Sequence, residues 1–199
     1  LKTISKKMVA VTDLVWVVDV ECTCWETRQE QADRPSEIIE IGICGLLPHT
    51  GEIIYPESYV VKPRFSSVSP FCTQLTSWTQ EEVDKGHDIE VVLKSIKQDY
   101  GILKEHVWFS CGEFDRTKLA SDGKGGVQQL YGIQKWDNPF AMMRSHFNVK
   151  TLFALKHKLF KEKDLMSMLD HLQLKFEGTH HRGKDDAINV ARIVSAVLT

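Results

Sequence analysis

The chain has 199 residues, 42% of them hydrophobic and 26% charged, with a formal net charge of −2. This fits one domain spanning residues 1–199, with a core from about residue 14 to 198, and excludes a disordered or collagen-like chain. The near-neutral charge also excludes a globally basic nucleic-acid binder, leaving only local clusters of either sign.

Leu1 to Met8 lacks the apolar run of a signal peptide, and the Leu1 start suggests either trimming or an engineered boundary. No stretch approaches the roughly 18 apolar residues of a membrane span. Val15 to Val18 is apolar and mostly β-branched, which predicts a buried strand. Trp25 to Ser36 is polar and reads as a loop. Glu37 to Leu46 is strand-like, Pro48 to Gly51 a turn, and Ile53 to Lys62 a further strand. Pro56 makes that third strand either an edge strand or two short pieces. Three strands joined by turns predict an antiparallel meander.

Pro63 to Thr76 reads as irregular. A helix start follows at Ser77, or at Thr79 with Glu82 three residues on. Ile89, Val92, Leu93 and Ile96 predict a helix over 89–102, and Val107 to Ser110 a short strand. Phe114 to Leu119 opens another helix, and Ser121 to Gly126 is a loop by composition. His146 to Val149 is strand-like. Helices are predicted over 151–159 and 164–172, where Leu165, Met168, Leu169 and Leu172 form a core stripe. A last helix covers 185–198, with Asp185 as its N-cap. Helices and strands mixed in this order predict an α/β fold, a mixed sheet with helical layers.

The five cysteines, Cys22, Cys24, Cys44, Cys72 and Cys111, are odd in number and scattered. None pairs as CxxC, so free thiols in a reducing, cytoplasmic setting are expected. Lys150, Lys156, Lys158, Lys161 and Lys163 face one acid, Glu162, in a local basic run. It is either a solvated helix face or a track for phosphates.

Strand side chains alternate, so Asp19 and Glu21 project from the same face at the end of the first strand. Two adjacent acids there call for a proton or a cation between them, and a hard divalent cation prefers such oxygens. The alternative is a solvated strand end. Asp115 sits just past a strand, either as a helix N-cap or as a third ligand. His180, His181, Asp185 and Asp186 precede the last apolar helix. His181 and Asp186, five apart, cannot share a helix face. This places His181 in the loop, free to take a proton, and Asp186 in the first turn, free to bind metal. His180 reads as solvated.

The pattern Asp19-x-Glu21-x-Thr23, then Asp115, then His181-x₄-Asp186 resembles the DEDDh family of 3′→5′ exonucleases. The stretches 38–42, 68–76, 80–84, 148–153 and 178–193 resemble its Eri-1/KapD-like branch, so the similarity runs from Trp16 to Val197. The resemblance implies an RNase H-like mixed five-stranded sheet, its first three strands antiparallel, flanked by helices. It implies two Mg²⁺ or Mn²⁺ ions on Asp19, Glu21, Asp115 and Asp186, with His181 as general base. The partner implied is a nucleic acid 3′ end, single-stranded RNA or DNA with RNA favoured by analogy, cut to nucleoside 5′-monophosphates. Thr23 and the backbone of Cys22 would meet the 3′-terminal sugar, and Leu75 and Thr76 the last base. Leu75 reads equally as core, and Trp25 is a further candidate for stacking. Two departures are Trp78, where a smaller aliphatic residue is common, and Phe114 in place of Trp. A catalytically idle nucleic-acid-binding protein on the same fold is the alternative, but an idle member would have lost a ligand, and all four acids and His181 are present.

Overall fold

A computed structural model describes residues 13–120 and 125–199. The N-terminal segment Leu1 to Met8 and the first four residues of the loop expected at 121–126 lie outside them. The fold is built on β1 (Val15–Cys22). There follow α1 (Arg28–Gln31), β2 (Ile38–Leu47), β3 (Glu52–Val60), α2 (Pro70–Thr76), α3 (Gln80–Asp84) and α4 (Ile89–Asp99). Then come β4 (Val107–Ser110), α5 (Phe114–Ala120), α6 (Val127–Tyr131), a 3₁₀ turn (Lys135–Asp137) and α7 (Pro139–Met142). The chain ends with β5 (Ser145–Asn148), α8 (Val149–Lys156), α9 (Leu165–His171) and α10 (Gly183–Leu198).

The five strands form one sheet in the order β3-β2-β1-β4-β5. β1 pairs antiparallel with β2, and β2 antiparallel with β3. β4 runs parallel to β1, and β5 parallel to β4. This is the mixed five-stranded sheet with an antiparallel opening meander. Pro56 lies in β3 at the sheet edge, where a missing N–H costs least, so the strand continues through it.

Both faces of β1 are covered, which is why its sequence is apolar without interruption until Asp19. Trp16, Val18 and Val20 point into a cluster with Val92, Leu93 and Ile96 of α4 and Leu119 of α5. Val15 and Val17 point the other way, against Val149 and Phe153 of α8 and Ala187, Val190 and Ala191 of α10. The same alternation carries Asp19 and Glu21 onto the face covered by α8, α9 and α10.

Several local expectations need correction. The segment expected to be irregular, 63–76, holds α2, started by Ser69, whose side chain accepts the Cys72 N–H, with Pro70 at the first helical position. The expected loop 25–36 holds the short helix α1, capped by Thr27. Thr79 and Glu82 form the capping box of α3, while Ser77 is the left-handed C-cap of α2. α8 begins directly after β5, two residues before the expected start. Asp185 is not the N-cap of α10: the helix starts at Gly183, and the Asp185 carboxylate accepts the Thr179 N–H at 2.8 Å. All five thiols are free. No helix among the described residues is long and apolar enough to cross a membrane.

Candidate active site

Three elements and a loop converge where β1 ends. β1 contributes Asp19 and Glu21, the start of α5 contributes Asp115, and the first turn of α10 contributes Asp186, with His180 and His181 in the loop before it. Together they line a cavity of about 360 Å³. Carboxylate oxygens of Asp19, Glu21 and Asp186 lie within 4.8 Å of one another. So do ligand atoms of His180, His181 and Asp186.

Asp186 is brought there by tertiary packing. The start of α10 lies directly on the sheet because Gly42, opposite Asp19 in β2, has no side chain. A Cβ on Gly42 would fall 1.9 Å from the Gly183 carbonyl carbon. Arg182 at the N-cap makes no side-chain cap. Glu40, buried in β2, takes that place: its carboxylate accepts the N–H of Gly183 at 2.9 Å and of Lys184 at 3.4 Å. The same carboxylate accepts the Trp78 indole N–H at 2.7 Å and the Ser58 hydroxyl at 2.6 Å. Trp78 is therefore not only a different core residue. It holds Glu40, and the Arg182 guanidinium lies over its ring at 4.0 Å.

Two of the acids are held by backbone N–H groups. The Val20 N–H donates to Asp115 Oδ1 at 3.0 Å, which ties the start of α5 to β1. The His181 N–H donates to Asp186 Oδ2 at 3.0 Å. That bond holds His181 at φ +64°, a left-handed conformation unusual for a residue with a Cβ. Its Nδ1 lies 4.0 Å from Glu21 Oε1.

Burial raises the proton affinity of the acids, and neighbouring acids add to it for Asp19, Glu21 and Asp186. Burial first, and then the neighbouring acids, push Glu21 up to about 8. Burial pushes Asp186 up to about 7 and Asp115 up to about 6. Asp19 is raised by burial and by Asp115 and Glu21. His181 is lowered, by burial and then by His180, which favours the neutral imidazole. One oxygen of Asp186, Oδ1, is buried without a hydrogen-bond partner. Clustered oxygen donors, acids that resist ionising together and an unsatisfied buried oxygen all fit a divalent cation.

The expected substrate contacts divide. Thr23 and Thr76 are fully buried. Thr23 Oγ1 accepts the Glu37 N–H at 2.9 Å and lies 2.9 Å from Ser66 Oγ. The Thr76 hydroxyl donates to the Cys72 carbonyl at 2.9 Å and accepts the Trp78 N–H at 3.2 Å. The hydroxyls of both are engaged in hydrogen bonds within the chain. The Cys22 side chain is buried, and its carbonyl accepts the Cys72 thiol at 3.5 Å. Leu75 is exposed, and Trp25 is half-buried beneath Arg34. None of these five lines the acid cavity, whereas His180, Asp164 and Lys150 do. His180 is exposed, as expected, but its ring stacks on His181 at 3.9 Å.

The family profile described as an exonuclease matches residues 16–194. 3′-5′ exoribonuclease 1 of Homo sapiens is 30% identical over 194 residues, covering 94% of this chain and 52% of its own length. ERI1 exoribonuclease 3 of Homo sapiens is 28% identical over 188 residues, covering 91% of this chain and 52% of itself. The chain thus spans about half the length of the curated relatives it matches. Among solved structures, the nuclease domain of 3′hExo, a DEDDh family member, bound to rAMP, superposes with a TM-score of 0.79 at 27% identity. The match covers 94% of this chain and 92% of that one. The chain belongs to the exonuclease family, among its Eri-1-like DEDDh members.

Proposed function

We propose that residues 14–198 form one 3′→5′ exonuclease unit that hydrolyses nucleic acid, RNA in preference to single-stranded DNA, and releases nucleoside 5′-monophosphates. The observation that carries the reading is the convergence of Asp19, Glu21 and Asp186, with one Asp186 oxygen buried and unpaired. The preference for RNA is supported by relatives that are exoribonucleases.

Asp19, Glu21, Asp115 and Asp186 would hold two divalent cations, Mg²⁺ or Mn²⁺. When bound, these would neutralise charge developing on the attacked phosphate and on the departing oxygen. His181 is the general base: its neutral ring takes a proton from the water that attacks the last phosphodiester phosphorus. The bond to the 3′-oxygen of the preceding nucleotide breaks, leaving a new 3′ end and a nucleoside 5′-monophosphate. The Asp186 bond to the His181 N–H couples the base to a ligand, so both hold one geometry. Leu75 and Trp25, both accessible, remain the candidates to meet the terminal base.

The test is degradation of 5′-labelled single-stranded RNA and matched DNA with Mg²⁺, Mn²⁺ or chelator, beside Asp19→Ala. A ladder shortening from the 3′ end, lost with chelator and in the variant, is the expected result. Retardation of labelled RNA in a gel without shortening would instead favour the idle binding protein.

A further inference from the structure

Five carboxylates stand on the cavity wall: Asp19, Glu21, Asp115, Asp164 and Asp186. Among the described residues the wall holds one lysine or arginine, Lys150. Lys150 is half-buried at the second position of α8, where its N–H donates to Asn148 Oδ1 at 2.9 Å. Its side chain runs along the turn after β4. A Cβ built on Gly112 would lie 3.5 Å from both Lys150 Cε and Nζ. The amine is near enough to lower the proton affinity of Cys111 and Asp115. Yet among the described residues Nζ makes no hydrogen bond and no ion pair within 4 Å.

That state differs from a neighbour in the same basic run. Lys156 is consumed by the end of α10, donating to the Ala196 and Val197 carbonyls at 3.0 and 3.1 Å. Among the described residues no acid closes onto Lys150 Nζ, although it is near enough to Asp115 and Asp164 to lower their proton affinity. Lys150 instead keeps three N–H donors for something that enters the cavity. The sheet order says where. α8 follows β5, so Lys150 lies on the β5 side of the acids, while the Thr23, Glu37 and Ser66 network lies towards β2. A strand crossing the end of β1 meets the acids in the middle and Lys150 on one flank. The acids and their cations serve the phosphate being cut, and a neighbouring phosphate still carries its full charge.

We infer that Lys150 is a substrate contact, its ammonium holding a non-bridging phosphate oxygen of the bound strand on the β5 side of the acid cluster. The inference rests on the exonuclease reading above. Of the five lysines in the basic run, one thereby gains a defined place in the site.

Lys150→Met and Lys150→Arg, both at a helix position that tolerates either side chain, test it on 5′-labelled single-stranded RNA across a salt series. Lys150→Met should raise KM about tenfold with kcat within a factor of about three, as expected for loss of one charge-assisted bond to phosphate. The slope of log affinity against log salt should fall by about 0.7, one phosphate contact on a single strand. Lys150→Arg should restore most of both. Unchanged KM and slope in Lys150→Met would overturn the inference. So would a fall in kcat with a displaced pH profile and unchanged KM, which would mean that Lys150 acts through Asp115. If the wild type binds without cutting, the exonuclease reading fails, and fluorescence anisotropy of the same labelled RNA decides the contact by the same slope. A wild type that neither cuts nor binds overturns both.

Discussion

The carboxylate of Glu40 accepts the backbone N–H of Gly183 at 2.9 Å, across 143 positions of sequence. A buried sheet residue thus caps the helix that carries Asp186. Glu40→Ala would leave the Gly183 and Trp78 N–H groups buried and unpaired. The expected loss is about 3 kcal/mol in urea denaturation. Divalent-cation affinity should also fall by roughly tenfold, as for other residues that orient a ligand from behind. Isothermal titration with Mn²⁺ checks the second effect; an unaltered affinity would show that the cap does not set the position of Asp186.

Gly42 is where the sheet and α10 touch. Any side chain there must displace the Gly183 backbone, because a Cβ would stand 1.9 Å from its carbonyl carbon. Gly42→Ala should cost about 2–3 kcal/mol, the upper part of the range for overpacking. For a chain of this size that is roughly 5–10 °C in Tm. A Tm equal to the wild type would mean that α10 does not seat on β2 as described.

The raised acids set a pH dependence of stability in the absence of metal. Folded-state pKa values of about 8 for Glu21, about 7 for Asp186 and about 6 for Asp115 lie above the ordinary 4.5 or 3.8. The folded state therefore binds more protons than the unfolded state between about pH 4 and pH 8. Their contribution is fully present below the ordinary values and is lost as pH rises through the folded ones. Chelated protein should lose on the order of 3 kcal/mol of this contribution between pH 5 and pH 8, and Mn²⁺ should restore it more at pH 8 than at pH 5. Asp186→Asn should flatten the profile while lowering activity about 10²–10³-fold. Thermal melts with and without chelator are the measurement, and a chelated melt that rises with pH would contradict the acid crowding.

His181 combines a strained backbone with the proposed role of general base. His181→Gly removes the cost of a Cβ at φ +64°, worth about 1 kcal/mol, so the variant should melt no lower than the wild type. Its turnover should fall about 10²–10⁴-fold with the loss of the general base, and added imidazole should restore part of it. Full activity in this variant would remove His181 from the mechanism.

Much of this was legible in the residues alone. A period of two puts Asp19 and Glu21 on one face whatever lies above them, and a period of 3.6 announces α4, α9 and α10. The impossibility of His181 and Asp186 sharing a helix face follows from the same geometry. These are local properties, written in side chains a few positions apart. What only the tertiary structure decided involves partners far apart in the chain. Glu40 capping α10, Trp78 holding Glu40 and Gly42 admitting Gly183 depend on which elements the sheet order brings together. Thr23 and Thr76 are expected to meet the substrate, and their hydroxyls are turned inward, where backbone N–H groups need acceptors once water is excluded. Lys150 is one of five similar lysines in sequence. The strand order alone sets it beside the acids, since a lysine's neighbours are fixed by packing and not by its place in a charge run.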